Sequence, residues 1–212
     1  MAGVPSAPSP FCLSLDEAIW IEQCRRAPGC GVDPPPANSS VVPYLLNRLC
    51  NAIVAAGGLT TPGVLSNKVD PRELGLVIKN LASGQEQVLG KLNANVLAAV
   101  LKAWLRELAV PLIPSALIPR ILAVSKSRDP VEAARIMAKF PPSHRAVMHA
   151  IVELCARVAR NPSSHMDAQS CGRALGASIV GTLAGTPPES VTASAAAFLA
   201  FAIGEHVRGS AG

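Results

Sequence analysis

VLAAVLKAWLRELAVPL, from Val96 to Leu112, decides the fold. Leu97, Val100, Leu101, Trp104 and Leu108 recur at three- and four-residue steps, the spacing of one buried helical face. At about 100° per residue, Asn95, Lys102 and Arg106 share the opposite side. Pro111 is expected to stop the helix, because it has no N–H and drives Val110 away from helical geometry. Two cations one turn apart suit an acidic or phosphorylated partner, and they equally suit a solvated helix face. Periodicity alone favours the second.

On the N-terminal side, Asp70 at the cap, Pro71 at the first helical position and Glu73 two further on predict a helix over Pro71–Ala82, ended by Ser83–Gly84. Pro43 opens another, Pro43–Ala56, which Gly57–Gly58 closes. Between them, Leu59–Val69 (LTTPGVLSNKV) is an irregular connection. Phe11–Gln23 reads as a short helix with Asp16 and Glu17 near its start. Residues 1–10 are expected to be a disordered Pro/Ser/Ala-rich tail, and 25–40 a Pro/Gly-rich loop.

On the C-terminal side follow Leu112–Ser125, Pro130–Phe140, Ser143–Arg160, Ala168–Leu183 with Asp167 as its cap, and a last helix from Pro188 to Val207. Residues 208–212 read as a tail. The chain is therefore expected to be all-α, one domain over 11–207 built from roughly seven to nine helices, without strands or internal repeats.

The bulk composition agrees. Half of the 212 residues are hydrophobic, but only 3% are aromatic, and the dominance of alanine and leucine favours helix. A net charge of +5 is scattered, with no basic block interleaved with aromatics, so nucleic acid is not an expected partner. The six cysteines (Cys12, Cys24, Cys30, Cys50, Cys155, Cys171) form no CxxC pair and read as free thiols of a reducing compartment. No signal peptide is evident. The longest apolar run, Ala195–Ile203, is shorter than the about 20 residues of a membrane span. A cytoplasmic location is expected.

Chemistry is not declared by any short motif. There is no GxxxxGK[ST], GxGxxG, HExxH or GxSxG. The four histidines (His144, His149, His165, His206) are dispersed and read as surface or loop residues.

The order of landmarks says more. LKAWLRELAVPL, Leu101–Leu112, resembles the LK-x-x-LREL-x-x-PL signature of Rho-type GTPase-activating (RhoGAP) domains. Phe11–Ile19 (FCLSLDEAI) looks like that family's entry segment, and Val42–Pro43 through Gly58–Leu59 like its first core helix. Phe140–Arg145 (FPPSHR) is similar to a later helix break, and Ser164–Ser170 (SHMDAQS) to the family's Asn-Lys-Met-Thr segment and the Asn beyond it.

The resemblance implies a helical bundle that regulates Rho/Rac/Cdc42-type small GTPases. In such domains a loop arginine enters the partner's nucleotide site and offsets charge on the γ-phosphoryl, an effect of ~10³–10⁵ in rate. The family pattern there is Gly, aliphatic, Phe or Tyr, then Arg. The matching residues are Gly63, Val64, Leu65 and Ser66, and Leu74, Val77, Leu81 and Gly84 keep the downstream register. Ser66 thus stands at the finger position, and a short neutral hydroxyl can neither reach as far nor carry the charge. Lys68 is a substitute cation in the same loop, although a point charge without a bidentate fork. Arg72 belongs to the first turn of the next helix.

Lys102 and Arg106 match residues that contact the GTPase and brace the finger loop. Ser164 and Ser170 stand at positions usually held by asparagines, Ser170 replacing one that bonds the GTPase, so the resemblance makes both GTPase-binding candidates with Lys102 and Arg106; Ala109–Val110 replace a Pro-Glu pair. The resemblance therefore implies a GTPase-binding domain with weak or no stimulation of hydrolysis, in effect a pseudo-GAP. The alternatives are an activator using Lys68 or ordering the partner's own glutamine, and a degenerate module for another protein or a lipid. No cofactor of its own is implied, since GTP and Mg²⁺ belong to the partner. Any membrane association is expected to come through that partner.

Overall fold

The structure, a computed structural model, describes residues 11–26, 42–181 and 187–209, with no side chains described for 22–26. The tail at 1–10, most of the loop at 25–40, the last residues 210–212, Leu183 and Cys30 lie outside the described residues. Among those described there are nine α-helices and no strand: α1 Leu15–Arg26, α2 Tyr44–Ala55, α3 Pro71–Ala82, α4 Ala94–Arg106, α5 Ile118–Ser127, α6 Pro130–Ala138, α7 Pro142–Arg160, α8 Ala168–Val180 and α9 Glu189–Gly209. Short 3-10 turns occupy Glu86–Lys91, Ser115–Leu117 and Pro162–Ser164.

Local chemistry sets several boundaries as expected. Asp70 accepts the Arg72 amide at 2.9 Å to start α3. Its end closes with Gly84 N–H on the Leu81 carbonyl and Gln85 N–H on that of Asn80, the paired bonds that satisfy terminal carbonyls. α1 starts at Leu15, later than Phe11. Ser14 accepts the Glu17 amide while the Glu17 carboxylate accepts the Ser14 amide, so a reciprocal capping box fixes the start. At its other end α1 takes in Arg25 and Arg26, and α9 runs on through Gly209, each reaching into stretches expected to be loop or tail.

α4 is the centre of the bundle, packed by α2, α3 and α8. Ala94, every residue from Val96 to Leu101, and Ala103 to Leu105 are buried. The helix is more deeply enclosed than its five-residue apolar stripe predicts. Only Asn95, Lys102 and Arg106 escape burial.

The expected end of α4 at Pro111 is corrected: the helix stops at Arg106. The segment before α1 captures the next residues, with Cys12 N–H donating to the Glu107 carbonyl and Ala109 N–H to that of Leu13, each at 3.0 Å. These long-range bonds replace the intrahelical ones before the proline is reached.

α8 and α9 form the most extensive helix pair. A Cβ on Gly172 would lie 2.4 Å from the Ala196 carbonyl oxygen, and one on Gly176 2.7 Å from the Ala196 Cβ. The two backbones therefore approach at a distance only glycine permits on the α8 side. His144, expected at the surface, is buried in the first turn of α7, with Nδ1 3.0 Å from the Leu112 carbonyl.

Candidate functional site

The polar stripe of α4 meets the loop between α2 and α3. That loop turns inward at Val64 and Leu65, both fully buried, and outward at Ser66, which is exposed. The Gly63 carbonyl accepts both the Ser66 amide at 2.7 Å and the Asn67 amide at 2.9 Å, closing residues 63–67 into one tight turn. Gly63 has φ +65°, a region that suits glycine, and a Cβ there would come within 2.9 Å of Asn67 Oδ1.

Three anchors hold the turn. Lys102 Nζ donates to the Leu65 carbonyl at 2.8 Å. The Asn67 side-chain amide donates to the Pro62 carbonyl at 2.9 Å and to Asn95 Oδ1 at 3.0 Å. The Gly63 amide donates to the Ser164 carbonyl at 2.8 Å. The α4 stripe is thus more than a solvated face, since two of its three polar side chains grip the loop. Burial lowers the Lys102 pKa from the ordinary lysine value, and the nearby Arg106 charge adds to the effect. Arg106 itself is exposed one turn further on.

Ser164 lies beneath the loop, fully buried. Its hydroxyl donates to the Val158 carbonyl at 2.9 Å and accepts the Met166 amide at 3.1 Å. Its side chain is therefore committed within the fold, and its backbone serves the loop. Ser170 is half-buried in the first turn of α8. Its amide caps onto Asp167 Oδ1 at 2.7 Å, and its hydroxyl accepts from Arg173 Nη2 at 3.1 Å. That amide bond is the first cause of the lowered Asp167 pKa.

Lys68 is exposed on the same loop, two residues beyond Ser66. Arg72 is exposed at the second position of α3. Lys102 and Ser164 converge on the turn; Arg106 extends the same face of α4, and Ser170 follows the turn that carries Ser164. Asn67 and Asn95 complete the anchoring. Sequence reasoning placed Asn95 on the polar face but gave it no partner, because the two asparagines are separated by 28 positions.

A family model, the RhoGAP domain, matches residues 43–182. No curated protein sequence matches the chain. Among solved structures, that of human Rho GTPase activating protein 15 is similar with a TM-score of 0.73 at 17% identity, covering 96% of this chain and 92% of that one. The BH domain from GRAF, the GTPase regulator associated with focal adhesion kinase, is similar with a TM-score of 0.66 at 15% identity, covering 77% of this chain and 91% of that one. Both likenesses are of fold.

Proposed function

This chain belongs to the RhoGAP domain family, and we propose that it binds a Rho-type small GTPase in the cytoplasm while stimulating GTP hydrolysis weakly or not at all. The observation that carries this reading is the Lys102–Leu65 bond. It fixes the backbone immediately before Ser66, the residue that register places at the arginine-finger position, so the presenting loop is intact while the group it presents lacks charge. The finger's share of the acceleration comes from a cation meeting the charge that develops on the γ-phosphoryl. A serine hydroxyl supplies none.

Arg106 and Ser170 are the proposed direct contacts. Lys102 contributes both charge and loop geometry, and Ser164 acts from below by holding Gly63. GTP and its Mg²⁺ are the partner's. Lys68 is the cation best placed to substitute, being exposed on the loop itself.

Equilibrium binding to Rho, Rac and Cdc42-type GTPases carrying a non-hydrolysable GTP analogue tests the reading. The Arg106→Ala variant is expected to bind at least about tenfold more weakly, the loss of an arginine hot spot of ~2 kcal/mol. Undiminished binding by this variant would contradict the assignment of the face. Absence of binding by the wild-type domain would contradict the GTPase reading itself.

A further inference from the structure

α9 differs from an ordinary surface helix. It carries no charged residue from Ser190 to Gly204 and has a mean hydropathy of 1.3 over its most apolar stretch, yet only 28% of that stretch is buried. Ala193 and Ala197 are exposed, and Ala200, Phe201 and Gly204 are half-buried along the same side. A helix facing only water normally places charged residues there.

A groove of about 450 Å³ runs over this strip and one of about 430 Å³ lies beside it, and Phe198 and Phe201 line both. The first, between α5, α8 and α9, has Arg128, Arg173 and Arg208 in its wall. The second, toward α6 and α7, has Arg145, His149 and His206, with Glu205 the single acid in either lining. Arg128, Arg173 and Arg208 are exposed; Arg173 also reaches Ser170 and Arg208 pairs with Glu205.

We infer that α9 and its arginine margins form a peripheral docking surface for an anionic phospholipid bilayer. An uncharged strip bordered by exposed arginines on the α5 and α8 side has the chemistry that an anionic bilayer surface attracts. Arginine forks suit lipid phosphates, and the negative surface potential of such a bilayer attracts the margins. The apolar side of α9 enters the headgroup boundary while α8, α7 and α5 keep the rest of the helix in the bundle. At Arg173, which donates to Ser170, this surface borders the proposed GTPase face; Arg128, Arg208 and Ala197 belong to it without touching that contact.

Co-sedimentation of the full chain with vesicles tests the inference. Phosphatidylcholine vesicles with phosphatidylserine in a roughly four-to-one ratio are expected to bind it, and pure phosphatidylcholine at least about tenfold less. Loss of a cation at an anionic surface weakens partitioning about fivefold, so Arg128→Asn combined with Arg208→Gln is expected to weaken it by about twenty-five-fold. Asparagine keeps the left-handed backbone of residue 128, whose φ is 53°. Ala197→Glu, at an exposed position, is expected to abolish binding with an unchanged circular dichroism spectrum. Failure to bind the anionic vesicles, equal binding to the neutral ones, or insensitivity to these substitutions would overturn the inference. So would self-association abolished by Ala197→Glu without vesicle binding, which would mean that a second copy covers the strip.

Discussion

Lys102 in the middle of α4 donates its Nζ to the carbonyl oxygen of Leu65, 37 positions away, at 2.8 Å. A side chain from the most enclosed helix of the bundle thus sets the backbone that precedes the exposed Ser66. Replacing Lys102 by Met keeps the apolar stem and leaves that carbonyl without its donor. A loss of about 1–2 kcal/mol in denaturant unfolding is expected. The lysine also reports its surroundings. Its proton affinity in the fold is lowered first by burial and then by Arg106, so Arg106→Gln should raise the Lys102 pKa in an NMR titration, though not to the ordinary value. The unfolded state binds the extra proton between the folded and ordinary pKa values, so stability relative to Lys102→Met should rise with pH across that window.

The turn at residues 63–67 should tolerate change at Ser66 and resist it at Gly63. Ser66→Arg alters an exposed side chain and is expected to shift stability by less than ~0.5 kcal/mol. Gly63→Ala sets a Cβ on a left-handed backbone against Asn67 Oδ1 and is expected to cost about 1–3 kcal/mol. Thermal unfolding of the two variants side by side makes the comparison.

Ser164→Ala removes a hydroxyl that both donates to Val158 and accepts from Met166. Both backbone groups would be left buried without that partner, at an expected cost of about 1–3 kcal/mol. Hydrogen exchange at the Gly63 amide, which bonds the Ser164 carbonyl, should quicken in the same variant. Wild-type exchange and stability would contradict the loop-supporting role.

Asp167 caps α8 more strongly when ionised. Its pKa is lowered from 3.8, chiefly by the Ser170 amide, so its contribution is present above the ordinary carboxylate value and fades as pH falls through the lower folded one. Asp167→Ala should cost about 1 kcal/mol at neutral pH. The difference from wild type should shrink in acid, as followed by urea unfolding at a series of pH values.

What the sequence made legible was what local chemistry decides. α3 lies where Asp70, Pro71 and Gly84 place it, because caps act within one turn of the chain. The end of α4 was not legible. Pro111 is the obvious local stop, but residues 12 and 13, from the start of the chain, intervene first. At the site, the α4 stripe of Asn95, Lys102 and Arg106 was readable from periodicity as a shared face. Its grip on the loop was not readable from periodicity, since Asn67 and Leu65 come from a distant part of the chain; the family resemblance implied the bracing by Lys102, and nothing in the sequence implied the Asn67–Asn95 bond. Ser164 was legible only as a serine at a position usually held by asparagine; the bonds its hydroxyl makes to Val158 and Met166 depend on how the chain folds back around it.

The central claim is that the loop is held for catalysis while Ser66 leaves it without the charge. Single-turnover GTP hydrolysis on Rho, Rac and Cdc42-type GTPases, with the domain in excess, measures it most directly when wild type and Ser66→Arg run together. Little or no stimulation by wild type and clear acceleration by Ser66→Arg is the predicted result. Strong stimulation by wild type, unaffected by the substitution, would contradict the account and turn attention to Lys68.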